Sequence, residues 1–349
     1  MKKVLYIDPL SQYGHVNFNK NYIKELRDKK FKIDFVFKEG YEKNFSIKKN
    51  ILNLPKKLFV ESNSLVSIYH DILKLRYINH NLDLTIYDYI FLSSYHEIAL
   101  YFSGIKSKLI LINHNNLQGL DNSLKLFFYK KISRKNYQIV FENYMKKYLE
   151  SIGVTNVFKI SHGFSERMIN LNNSPIYKNK LASLKFSEFN NVIFISSVNK
   201  LDKEFFQQLI LDEKFITSLK NKNCLLVIKS KLNFLCNSTN IRLINYVLTD
   251  FEYNSIFMRS DLIIIKYPDF FKRRVSAVFF QCVNNNKTCL IYKTETFLNY
   301  KNLINYDPYF NSKNELIEKI SINLNLNMPI KFSISMNIKS DFSNFFNQY

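Results

Sequence analysis

The chain has 349 residues, 46% of them hydrophobic, which suffices for two domains that each bury a core. Its net charge of +21, from 50 Lys and Arg against 29 Asp and Glu, excludes an acidic surface and points to an anionic partner. No stretch approaches the roughly 18–20 apolar residues of a membrane span, and the apolar run after Lys2 and Lys3 stops at Asp8, against a signal peptide.

The 32 Phe and 23 Tyr, with no Trp and abundant Lys, Asn and Ile, read as AT-rich coding more than as function. The four cysteines, Cys224, Cys236, Cys282 and Cys289, make no CxxC pair. They read as buried thiols of a reducing compartment, with neither a zinc site nor a disulfide framework. A cytoplasmic location is expected.

In chain order, Lys2 to Leu10 reads as an apolar strand and a polar turn, followed at Asn19 to Lys30 by a helix. Further apolar runs at 33–37, 89–92, 109–112 and 139–141 read as strands, with helical periodicity at Leu65 to Tyr77 between them. A helix begins after the last run, over 140–150, and another strand follows Gly153, ending at Ser161, His162 and Gly163. A polar stretch, Glu166 to Glu188, reads as a linker. The opening unit then recurs: Asn191 to Lys200 is a strand and turn, and Lys203 to Leu219 is a helix. Strands are expected at 192–196, 224–228, 241–244, 261–265 and 288–292, with helices near 203–219, 250–259, 275–284 and 313–322. A final helix is expected over Asn337 to Tyr349.

This pattern defines an α/β protein with two Rossmann-like domains facing a cleft. The expected boundaries are 1–165 for the first domain, 166–190 for the linker, 191–330 for the second domain and 331–349 for a tail packing on the first. All six glycines, at 14, 40, 104, 119, 153 and 163, precede the second domain. There is no GxGxxG and no Walker A loop, which argues against a dinucleotide dehydrogenase or a P-loop enzyme.

The order of segments resembles bacterial glycosyltransferases of the GT-B fold, the family 4-like enzymes of surface polysaccharide synthesis. The residues that carry the resemblance are the Gly14 turn, KLILINHN at 108–115, and IVFENYMKKYLESIGVTNVFKISHG at 139–163. In the second half they are 248–267 and RVSAVFFQCVNNNKTCLI at 274–291. The chain departs from the pattern at three places, one of them Ala277, where a glycine usually follows the serine. Arg273 and Gln281 stand where many retaining members carry glutamates, and Ser197 and Asn199 replace an expected Gly-Arg. Tyr267, Arg274 and Ser276 resemble a divergent subset.

The resemblance implies transfer from a nucleotide-sugar, UDP-linked, to a lipid-linked or growing surface saccharide, without a metal or other cofactor. Arg273, Arg274, Ser276 and the following helix N-terminus are expected at the donor diphosphate, with Ser197, Asn199, Lys229, Lys231 and Tyr267 near them. His15, His96 and His114 follow strand ends and are candidate bases. Gly14, Glu97 and His162 are placed on the acceptor side. Lys125, Lys130, Lys131, Arg134 and Lys135 mix with Phe127 and Phe128 in a segment suited to an anionic membrane surface. The protein is thus expected at the inner face of the membrane, as a peripheral protein. The alternative is an inactive GT-B-like protein that binds a glycan or a partner enzyme. Nucleic acid is not expected as a partner, because no recognition module accompanies the charge.

Overall fold

The computed structural model describes residues 1–12, 15–47, 49–60, 64–160, 184–268, 271–325, 342, 345 and 346. The chain forms two compact units. The first comprises Met1–Gly163, Arg273–Val275 and Ile338–Tyr349, and the second Phe164–Lys272 and Ser276–Asn337. Most of the expected linker, His162 and Gly14 lie outside the described residues.

The first unit is built on seven parallel strands: β1 (Lys3–Ile7), β2 (Lys32–Lys38), β3 (Ile51–Leu54), β4 (Tyr89–Leu92), β5 (Ile110–Ile112), β6 (Tyr137–Val140) and β7 (Val157–Lys159). Their order across the sheet is β3-β2-β1-β4-β5-β6-β7. Helices α1 (Val16–Asp28), α2 (Ser64–Asn81), α3 (Glu97–Tyr101), α4 (Ser123–Ser133) and α5 (Asn143–Ser151) connect them. β1 and β4 are buried almost throughout, which is why they read as unbroken apolar runs. β3 lies at an edge and is half-exposed, and its short, mixed sequence carries no such signal.

The C-terminal phenylalanines complete this unit. Phe342 packs edge-on against Tyr22 and Phe91, at centroid distances of 4.9 and 5.3 Å, and its amide donates to the Glu25 carboxylate. Phe345 packs on Phe158 at 5.1 Å, and Phe346 on Phe31 and Tyr89, each at 5.0 Å. The expected tail on the first domain is therefore present as aromatic packing, with Phe345 and Phe346 helical among the described residues.

The second unit has six parallel strands: β8 (Asn191–Ile195), β9 (Cys224–Lys229), β10 (Ile241–Ile244), β11 (Leu262–Ile265), β12 (Thr288–Tyr292) and β13 (Tyr309–Phe310). They are ordered β10-β9-β8-β11-β12-β13, the Rossmann order. Its described helices are α6 (Lys203–Ile210), α7 (Glu213–Asn221), α8 (Asp250–Arg259), α9 (Ala277–Asn284), α10 (Glu295–Leu298) and α11 (Lys313–Asn325). The single helix expected over 203–219 is two helices. Asp212 ends one and caps the next, its side chain accepting from the Phe215 amide at 3.0 Å. α8 starts on a capping box, with Thr249 and Glu252 each bonding the other's backbone amide.

The missing glycines are replaced by asparagine. α5 ends at Gly153, whose φ is +86°, with Val154 donating to Leu149 in the Schellman pattern. α7 and α9 instead end at Asn223 and Asn286, with φ of +44° and +51°. After α9 the Lys287 amide donates to the Cys282 carbonyl at 2.9 Å, the same bond Gly153 helps to form. Asparagine tolerates the left-handed region well enough to serve. A second domain without glycine is thus a coding preference carried through a local rule.

Candidate functional site

In an open parallel sheet, ligands gather where the strand order reverses, beyond the C-terminal ends of the strands. Each unit has such a point, β1 beside β4 in the first and β8 beside β11 in the second.

In the second unit, β8 runs into Ser196, Ser197, Val198 and Asn199, and β11 into Lys266 and Tyr267. Ser197 is exposed. The Asn199 side chain accepts from the Leu201 amide at 3.0 Å and so opens the turn Lys200–Asp202. Tyr267 meets the Ser276 hydroxyl at 3.0 Å and stacks on Phe297. Ser276 is fully buried and caps α9, accepting from the Phe279 amide at 3.1 Å. α9 was expected from 275, and this cap fixes its start at Ala277. On the next strand, Lys229 is half-buried and Lys231 exposed. Burial pushes the Lys229 ammonium below its usual value, and the charge of Lys231 adds to the shift. A cation held in that state is stabilised by an incoming anion.

Sequence reading missed Lys266. Its ammonium pairs with the buried Asp202 carboxylate and lies over the rings of Tyr292 and Phe205, at 4.2 and 5.1 Å. The signal available was its position directly after β11. Gln281 accepts from the Tyr253 hydroxyl at 3.0 Å and holds α9 against α8.

In the first unit, the reversal point is occupied by Asp8. Its carboxylate accepts from the Ser11 amide at 2.9 Å, from the Asn19 side chain at 2.7 Å and from the Ser94 hydroxyl. Tyr6 and Tyr41 extend the network through Asn19. Asp8 is fully buried, so this cluster locks β1, α1 and β4 together. It too was missed, although it follows β1 directly.

Two of the three candidate histidines come together. The His15 and His114 rings stack at 5.1 Å with 22° between planes, and Phe18 and Phe141 pack edgewise or tilted against His114. Burial holds the His15 imidazole below its usual value; Asp8 opposes the shift and Arg274 adds to it. His15 is therefore neutral near pH 7, and its Nδ1 is buried with no hydrogen-bond partner among the described residues. His96 directly precedes α3.

Glu97 is buried. It accepts from Asn116 at 2.9 Å and lies 3.6 Å from the Lys125 ammonium. It braces the connection between α3 and α4 and is not presented on the surface. Glu142 follows β6 and was not singled out, yet burial raises its carboxyl to about 7, with Lys159 opposing. A carboxyl poised there is suited to proton transfer at neutral pH.

Arg273 and Arg274 group with the first unit, while Ser276 groups with the second. The Arg273 guanidinium pairs with Asp121 at 2.9 Å and lies 3.7 Å from the Tyr148 ring centre. The Arg274 carbonyl accepts from the Tyr144 hydroxyl at 2.7 Å. Among the described residues, no group of three or more His, Cys, Asp or Glu could hold a metal ion, and no helix is long and apolar enough to cross a membrane.

Two Rossmann-like units in this order make the GT-B fold. Solved structures agree over nearly the whole chain. A Listeria monocytogenes protein described as a UDP-N-acetylglucosamine 2-epimerase superposes with a TM-score of 0.67 at 12% identity, covering 100% of this chain and 98% of that one. The Staphylococcus aureus protein MnaA, solved with UDP, gives 0.62 at 13% identity, covering 98% and 93%. An α,α-trehalose-phosphate synthase (UDP-forming) from Burkholderia vietnamiensis gives 0.62 at 11% identity, covering 95% and 92%. No family model and no curated protein sequence matches the chain.

Proposed function

We propose that this protein is a glycosyltransferase that moves a sugar from a UDP-linked donor to a lipid-linked or growing surface saccharide at the cytoplasmic face of a membrane. The observation that carries the reading is the reversal point of the second unit. Ser197 and Asn199 follow β8, Tyr267 follows β11 beside the Ser276-capped start of α9, and Lys229 ends and Lys231 follows the adjacent β9, a set of groups suited to a diphosphate. The fold is shared with a protein solved with UDP and with a UDP-forming synthase. In the transfer, the bond from the anomeric carbon to the β-phosphate oxygen breaks and the acceptor hydroxyl takes its place. The diphosphate leaves onto the lysines and the free amides of α9, and no metal is required for that role. The acceptor proton passes to a protein base as the hydroxyl attacks.

Calorimetry with UDP, uridine and the other nucleoside diphosphates tests the first half of this reading. UDP should bind and uridine only weakly, because the diphosphate supplies the charge. Product analysis with a UDP-sugar and a lipid-linked saccharide tests the second half. Free UDP with an extended saccharide is the expected outcome. A UDP-linked sugar recovered as its C2 epimer would replace transfer by epimerisation. Binding without turnover would favour a non-catalytic glycan- or partner-binding role.

A further inference from the structure

The first unit carries an exposed aromatic cluster that the reaction does not use. Tyr101 and Phe102, at the end of α3, touch Phe128 of α4 at centroid distances of 5.1 and 5.6 Å. Phe127 touches Phe128 at 5.3 Å. Three of these rings remain 44–50% exposed, and Leu124, one turn earlier on α4, is 57% exposed. A contiguous apolar surface of this kind is costly in water and marks a contact site.

The polar groups around the cluster specify the contact. Lys131 lies 5.2 Å from the Phe127 ring centre, and Lys130 and Arg134 are exposed beside it. Arg76 of α2 reaches the Phe102 carbonyl, and it continues a stripe through Leu65 and Tyr69, both exposed. Around the cluster Arg76, Lys130, Lys131 and Arg134 are the cations on this face, against three acids, Asp71, Glu97 and Asp121, in segments 64–81, 97–108 and 121–136. Each acid is already engaged: Asp71 with Lys74, Glu97 with Asn116 and Lys125, Asp121 with Arg273. The face therefore offers aromatic rings and cations, with its carboxylates paired.

We propose that this α3–α4 face docks on an anionic lipid bilayer, with the rings in the headgroup–acyl boundary and the lysines against lipid phosphates. The proposal deepens the membrane-face reading above, but it requires neither donor nor acceptor. It also redraws the segment 125–135. Lys125 is bonded to the Gln118 carbonyl and Lys135 to the Ile105 carbonyl, and Tyr129 is buried, so these three belong to the protein side of the helix.

The chain has no tryptophan, which makes a direct probe available. In the full chain, Phe127→Trp should shift its emission to the blue on adding phosphatidylcholine vesicles containing phosphatidylglycerol. Pure phosphatidylcholine should leave it nearly unchanged, and Leu211→Trp, exposed on the second unit, should not respond to either. In flotation with the mixed vesicles, Lys130→Glu with Lys131→Glu should weaken binding about tenfold or more and reduce its salt dependence. Phe102→Ser with Phe127→Ser should weaken binding at every salt concentration. All four positions are partly or fully exposed, so thermal midpoints should stay near the parent's. An unshifted Phe127→Trp spectrum with bound vesicles overturns the proposal. So does a parent protein that ignores anionic vesicles, or a serine variant that turns a dimer into a monomer while vesicle binding persists. None of these readouts depends on UDP binding or turnover.

Discussion

The two strand-reversal points have the same topology and different surroundings. In the first unit, Asp8 is fully buried and its oxygens are occupied by Ser11, Asn19 and Ser94. In the second unit, Ser197 is exposed, Lys266 after β11 is paired with Asp202, and on the adjacent β9 Lys229 is a half-buried cation shifted downward by burial. One point is wired inward and stabilises its unit. The other also pairs its own lysine, but it has beside it, on β9, a cation that burial disfavours and an anion would stabilise. Position at a reversal point therefore does not identify a ligand site by itself; the state of the polar groups there does.

The largest effect that could break this contrast is at Asp8. Asp8→Ala leaves buried donors without their acceptor and should cost about 3–5 kcal/mol of stability, read by urea unfolding. A loss below 1 kcal/mol would mean that the network is not structural.

Glu142 tests the first unit's acid–base poise. Its folded value, near 7, lies above that of the unfolded chain, so folding takes up a proton between the two. Its contribution is fully present below about pH 4 and is lost as pH rises towards 7, by roughly 3 kcal/mol at most. Glu142→Gln should flatten that part of the profile, seen as thermal midpoints from pH 4.5 to 7.5. Parallel profiles would remove Glu142 from consideration as a proton carrier.

Lys229→Ala sharpens the other side. UDP binding should weaken by roughly 1.5–3 kcal/mol, the range for hydrogen bonds to charged groups, with stability unchanged or slightly raised. Undiminished UDP binding would move the diphosphate away from β9.

Ser276→Ala should be the mildest, costing about 1 kcal/mol through the lost cap of α9. UDP binding should fall with it if the freed helix start also shifts. A stability loss with unaltered UDP affinity would make Ser276 a cap alone.

The sequence by itself determined the elements and their class. Buried parallel strands are apolar on both faces, so β1, β4, β9, β11 and β12 are visible as runs, and the repeated strand-turn-helix opening revealed two Rossmann-like units. Half-exposed β3 and two-residue β13 were not visible, because neither has an apolar run. Capping was legible only in part: TDFE at 249–252 shows its box, but Asp212 inside an amphipathic stretch does not announce a break. The tertiary structure alone decided which strand-end residues meet. It stacked His15 on His114, buried Asp8 in donors, raised Glu142, paired Lys266 with Asp202 and set Tyr101 and Phe102 beside Phe127 and Phe128. These states depend on burial and on partners distant in the chain. A local pattern fixes which way a side chain leaves its strand or helix, but not what lies across from it.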